Sequence, residues 1–210
     1  MDLALRCTCD SLRGVARGVA AHSGNHVVCY CRDCQAFAHF LGRAPDILDA
    51  QGGTEIFQMS PARIEIGAGA DRLACMRLSP RGLLRWYASC CNTPIGNTLA
   101  THKFPFVGVI HLCLQAPEAG GALDPVLGPV RARAFRQFAG GEAAAIPPDR
   151  TPMPLLVARF VALMVRWKLR GDGARSVFFR GPGGSPTAEP RVLSLAERDE
   201  LRRIVSPPPA

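Results

Sequence analysis

Seven of the nine cysteines in this 210-residue chain fall into three short groups, and their spacing limits the fold more than any other feature. Cys7 and Cys9 form a C-x-C pair, Cys29, Cys31 and Cys34 form a C-x-C-x-x-C string, and Cys90 and Cys91 are adjacent. Zinc takes thiolates at about 2.3 Å in a tetrahedron. A C-x-C pair at a strand end can aim both sulfurs at one ion, and the turn within C-x-x-C makes its sulfurs converge. Three sulfurs within six residues can therefore supply one face of a tetrahedron. Its fourth corner is either filled, as in a structural site, or open to water or substrate, as in a catalytic one. Cys34 falls near an expected helix start, where the free N–H groups favour a thiolate. The competing readings are plain core thiols, which suit Cys75 and Cys113 on their apolar stretches, and a redox C-x-x-C. A third cysteine and a β-rich setting do not fit a thioredoxin-like turn.

The chain has enough apolar content, 48% against 20% charged, to exclude disorder throughout. No stretch approaches the ~20 apolar residues of a membrane span, so no span is expected. The start, MDLALRCTCDSLRG, lacks the pattern of a signal peptide. Metal-binding thiols in a reducing cytoplasm are therefore expected.

Segments 26–30, 54–59, 62–67, 72–78 and 83–88 are β-rich and punctuated by Gly52, Gly53, Pro61, Pro80 and Gly82. Their rhythm predicts a mainly β body. A helix is expected over 33–41, stopped at Gly42. Three parts follow: a cysteine-bearing body, 1–115; a Gly/Pro/Ala-rich connection, 116–151, with one short helix near 130–138; and a helical extension, 152–205. The extension should hold a helix over 153–170 and, beyond a linker-like stretch from 181, another over 194–205. Ser194 and Glu197 have the spacing of a capping box there. Residues 206–210, SPPPA, read as a frayed end.

The net charge of +8 lies mostly in the second half. Residues 1–125 carry 11 Lys+Arg and 10 Asp+Glu, and residues 126–210 carry 14 and 7. A solvated basic tail is the plain reading of that excess, and a nucleic-acid or anionic partner the sharper one. On the 153–170 helix, Leu155, Leu156, Phe160, Leu163, Met164 and Trp167 recur at helical spacing, which predicts a helix packed on the body or on a second copy.

The order C-x-C, C-x-C-x-x-C, then Cys91-Asn92-Thr93-Pro94 resembles the glutathione-dependent formaldehyde-activating enzyme family, which includes centromere protein V. The resemblance covers residues 5–115. It implies a β-tent zinc-binding domain and a zinc-dependent carbon–sulfur lyase that joins glutathione to formaldehyde or cleaves the adduct. It further implies a catalytic zinc ion (Zn2+) on Cys29, Cys31 and Cys34, and a structural one on Cys7, Cys9 and a later C-x-x-C-G-[ST]-P. That later motif here reads Ala88-Ser89-Cys90-Cys91-Asn92-Thr93-Pro94, so Ala88 stands where a cysteine is expected, and Asp10 replaces a glycine after the first pair. The expected second site is a weak or three-thiol one, Cys7, Cys9 and Cys91, with Cys90 available as a fourth.

The partner the resemblance implies is a small thiol or its aldehyde adduct. Arg32, Asp33, Gln35 and His39 are candidate helpers, Arg32 for a substrate carboxylate and His39 for a proton. His22, His26, His102 and His111 stand in no motif. The rival readings are a non-catalytic zinc-stabilised module that binds through its basic C-terminal half, and a redox or metal-handling protein.

Overall fold

The computed structural model describes residues 1–116, 121–141, 145–181 and 183–205. The expected fraying of 206–210, and parts of the 116–151 connection, lie outside these residues. The protein is mainly β, with two large sheets and a few helices. Among the described residues, no helix is long and apolar enough to cross a membrane.

In chain order the strands are β1 (Leu3–Arg6), β2 (Arg13–Ala16), β3 (Asn25–Cys29), β4 (Thr54–Met59), β5 (Ile64–Ala68), β6 (Leu73–Arg77), β7 (Leu84–Ala88), β8 (Thr93–Thr98), β9 (Val107–Ile110), β10 (Leu114–Gln115), β11 (Ala132–Ala134), β12 (Phe179–Arg180), β13 (Ser185–Pro186) and β14 (Pro190–Val192). The helices are α1 (Arg32–Phe40), α2 (Ala44–Ile47), α3 (Asp124–Leu127), α4 (Met153–Leu169) and α5 (Leu195–Ile204). Eight strands form one sheet in the order β11-β3-β4-β9-β8-β7-β6-β14, and four form a second, β10-β1-β2-β5.

Strand alternation explains how the layers stack. On β4, Phe57 and Met59 face a core shared with Leu3, Leu5 and Ile64 of the small sheet and Leu12 just before β2, and Trp86, Val107 and Val109 join them from the large one. The opposite face, through Val27, Ile56, Met76 and Ile110, packs against Phe37 and Ala38 of α1, against Leu41 at its C-cap, and against Leu193 and Val205 around α5. The large sheet is thus covered on both sides, and α1, which carries Cys34, is fixed on its back.

Two edges of the large sheet come from beyond residue 115. β11 pairs in parallel with β3, and β14 in parallel with β6. The stretch 130–138, expected to hold a short helix, is a strand followed by a 3-10 turn over Arg136–Phe138, with Phe135 at φ 61° between them. Pairing with a buried edge outweighs the helix propensity of Ala and Arg.

The long helix matches its expected span, but its packing is narrower. Leu156, Leu163 and Trp167 are buried, whereas Leu155, Val157, Val161 and Val165 are exposed. Arg159 ties α4 to the body by donating to Asn25 Oδ1 at 2.8 Å and to the His22 carbonyl at 3.0 Å.

Candidate metal centres

The first cluster is built by two turns meeting end to end. Cys7 and Cys9 follow β1, and Cys90 and Cys91 occupy the β7–β8 connection. The four sulfurs all lie within 4.8 Å of one another. Cys7 Sγ is 3.5 Å from Cys9 Sγ and 3.7 Å from Cys90 Sγ. Cys9 and Cys90 sulfurs are 3.3 Å apart, and those of Cys90 and Cys91 3.9 Å. A zinc–sulfur tetrahedron with arms of about 2.3 Å has edges of about 3.8 Å, so this donor set fits a four-coordinate zinc. Cys90 joins the other three, and the adjacency of Cys90 and Cys91 does not prevent it.

The residue after each pair makes the turn. Asp10 has φ 60° and Asn92 φ 54°. Asp and Asn are the non-glycine residues that tolerate this left-handed backbone best. Ala88, by contrast, is fully buried in the inter-sheet core. Hydrogen bonds lock the two turns together. The Thr8 N–H donates to Thr93 Oγ1 at 2.9 Å, and Arg43 Nη1 donates to Thr8 Oγ1 and to the Cys91 carbonyl, both at 3.1 Å. The Leu12 N–H donates to Cys7 Sγ at 3.2 Å, as amides do to metal-bound thiolates.

The second cluster joins a strand to a helix. Cys29 ends β3, Cys31 is the N-cap of α1, and Cys34 lies in its first turn. Their sulfurs are also within 4.8 Å of one another. Hydrogen bonds from Cys29 and Cys31, with the Arg85 guanidinium beside it, hold the buried Cys34 thiol well below the usual thiol range. The same neighbours, Cys31 and Cys34, push Cys29 strongly upward, and burial adds to the rise. Three thiolates in so small a space repel one another. A divalent cation removes that conflict, so the donor chemistry fits zinc here as well. Among the described residues, no fourth Cys, His, Asp or Glu joins this group.

The candidate helpers separate. Gln35 is buried and tied up, donating to the carbonyls of Tyr30 at 2.8 Å and Phe138 at 3.0 Å. His39 sits in the last turn of α1, at the far end of the helix from the thiols. Arg32 and Asp33 line a cavity against α5.

Arg85 was not foreseen. It is almost fully buried, donates to Asn97 Oδ1 at 3.2 Å and stacks on the Phe37 ring at 5.4 Å. A lone arginine inside the apolar run LLRWYA is the signal that marks it. His26 also has partners that no motif revealed. It is buried, with Nδ1 2.6 Å from the Gly128 carbonyl and Nε2 2.7 Å from Glu55 Oε1. Cys75 and Cys113 are core thiols. All nine cysteines are free of disulfides.

Fold and site together define a mainly β protein with two cysteine clusters of metal-ligand spacing, one of four sulfurs and one of three. The chain belongs to the family described as "Family of unknown function (DUF6151)", which matches residues 2–191. The crystal structure of a Rhodobacter sphaeroides protein is similar at a TM-score of 0.40 and 15% identity, covering 64% of this chain and 100% of that one. No curated protein matches the chain.

Proposed function

We propose that this chain is a zinc protein of the β-tent type that acts on thiol adducts of small aldehydes, as the carbon–sulfur lyases it resembles do. One observation carries the reading: the two clusters differ in donor number, four sulfurs at Cys7, Cys9, Cys90 and Cys91 and three at Cys29, Cys31 and Cys34. Four donors close a structural site, and three leave a corner for substrate.

Zinc on Cys29, Cys31 and Cys34 would supply a Lewis acid that favours the thiolate form of a substrate thiol. In the cleavage direction, the carbon–sulfur bond breaks, its electron pair stays on sulfur, and the adduct's hydroxyl loses its proton as the carbonyl forms. The chain's own part is positioning. The α1 N-terminus and Arg85 stabilise negative charge on Cys34. Gln35 holds the cluster's helix to the segments on either side of it. Cysteines gathered to hold metal rather than joined in disulfides suit a reducing compartment such as the cytoplasm.

The test mixes zinc-loaded protein with glutathione and formaldehyde and follows exchange between free and S-hydroxymethyl thiol by NMR. Acceleration that disappears in Cys34→Ser supports the reading. A rate equal to the uncatalysed one overturns it.

A further inference from the structure

A cavity of about 340 Å³ lies between the first turn of α1 and α5. Small-molecule sites run on the order of 300–1,000 Å³, so it can take a compact ligand. Ala36 and Leu78 give it an apolar wall, and among the described residues its charged lining is Arg32, Arg198 and Arg202 against a single acid, Asp33. That acid is partly engaged elsewhere, 3.8 Å from the buried guanidinium of Arg85. Arg202 pairs with the exposed Asp199 at 3.7 Å, and such pairs are weak.

The other two arginines are held more closely by the protein. The Nε of Arg32 and the Nε of Arg198 are both shielded from solvent, and neither has a hydrogen-bond partner among the described residues. A buried N–H of a charged group left unpaired is costly. Both side chains line the same cavity, and guanidinium forks match carboxylate and phosphate oxygens in geometry as well as charge. Arg32 is held in place by stacking on the Phe138 ring, 5.1 Å from the centroid, so its fork is pre-organised.

We infer that this cavity binds the oxyanion of a small ligand, a carboxylate or a phosphate, between Arg32 and Arg198, with Arg202 adding charge at the rim. Arg32 follows Cys31 directly in the chain, so one wall of the cavity is a single residue from the three-sulfur cluster. Resting on the function proposed above, this names the substrate class as an anionic thiol. Two of the three arginines come from α5, outside residues 5–115, so this chain's own extension sets that preference.

The test is calorimetric titration of the full zinc-containing protein at low salt with inorganic phosphate and with succinate as probes. Saturable binding of either probe is expected, weakened about tenfold or more in Arg198→Gln and in Arg202→Gln and unchanged in Arg203→Gln, an exposed position outside the cavity. Phosphate alone binding would identify a phosphorylated ligand, and succinate alone a carboxylate. Arg202 is exposed, so its variant decides the matter if Arg198→Gln folds poorly. Absence of binding by both probes, or equal weakening in Arg203→Gln, overturns the inference. Binding is read without turnover, so a protein that takes the anions but leaves glutathione–formaldehyde exchange unaccelerated would defeat the proposed reaction and leave this site standing.

Discussion

The sulfur of Cys31 accepts the backbone N–H of Cys34 at 3.4 Å, so one side chain caps α1 and also faces the other two thiols of its cluster. Capping and metal binding then make separable demands. Serine caps helices well but is a poor zinc ligand, and alanine does neither. Cys31→Ser and Cys31→Ala should both lose the zinc of this cluster by elemental analysis. Only Cys31→Ala should lose a further ~1 kcal/mol of stability in denaturant titration. Equal stability of the two variants would mean that the sulfur does not serve as a cap.

The four-sulfur cluster tests which thiol replaces the missing one. Cys90 lies within 3.7 Å of Cys7 and 3.3 Å of Cys9, whereas Ala88 is buried in the core. Cys90→Ser should reduce zinc content and lower the melting temperature. Adding Ala88→Cys to that variant should restore neither, because the new sulfur would lie in the apolar core between the sheets rather than in the turn. Zinc recovery in the double variant would show that the β7 end can rotate toward the site.

Asn92 adopts a left-handed backbone between Cys91 and Thr93. Asn92→Gly should keep full zinc content with unchanged or raised stability. Asn92→Val should cost about 1–2 kcal/mol, the penalty for a β-branched side chain at positive φ. Thermal melts of the two variants check the sign.

Much of this architecture is legible in the residues alone. The β-rich segment TEIFQM is β4, over 54–59 as expected, and the cap pattern Ser194 to Glu197 opens α5 with both reciprocal hydrogen bonds in place. Local signals of this kind need no knowledge of the rest of the chain. β8 was not among the expected strands, because Thr93–Thr98 reads TPIGNT, with Pro, Gly and Asn and no apolar alternation. It is buried on both faces, and tertiary position, not propensity, makes it a strand. β11 and β14 are legible only once β3 and β6 offer them edges. The three-sulfur cluster could be foreseen because its members lie within six residues, while Arg198 reaches the cavity beside it from more than 160 positions away.

Arg85 supports the three-sulfur cluster from β7. Its guanidinium is buried against Phe37 and Asn97. Arg85→Met fills similar space but leaves the Asn97 carbonyl without its donor, which costs about 1–3 kcal/mol. Zinc at Cys29, Cys31 and Cys34 should also be held less tightly, since the charge beside Cys34 is gone. A competition titration with a chromophoric chelator measures this. Unchanged affinity would reduce Arg85 to a packing residue.

His26 and Glu55 give the fold a pH signature separate from the thiols. The His26 side chain is inaccessible to solvent and sits 2.7 Å from Glu55. Burial alone would lower its pKa, but the bonds to Glu55 and to the Gly128 carbonyl, with Asp124 nearby, raise it above the ordinary 6.5. The same bond, against burial and helped by His111, holds Glu55 below its ordinary 4.5. A raised histidine stabilises fully below pH 6.5, and that contribution is lost as pH climbs through the folded value. A lowered glutamate stabilises fully above pH 4.5, and that contribution is lost as pH falls through the folded value. The pair therefore contributes most between pH 4.5 and 6.5. The melting-temperature difference between the unaltered protein and Glu55→Gln should peak in that window and shrink on both sides. Acid loss of zinc affects both proteins alike and cancels in the difference. A difference independent of pH would mean that the contact is a neutral hydrogen bond rather than an ion pair.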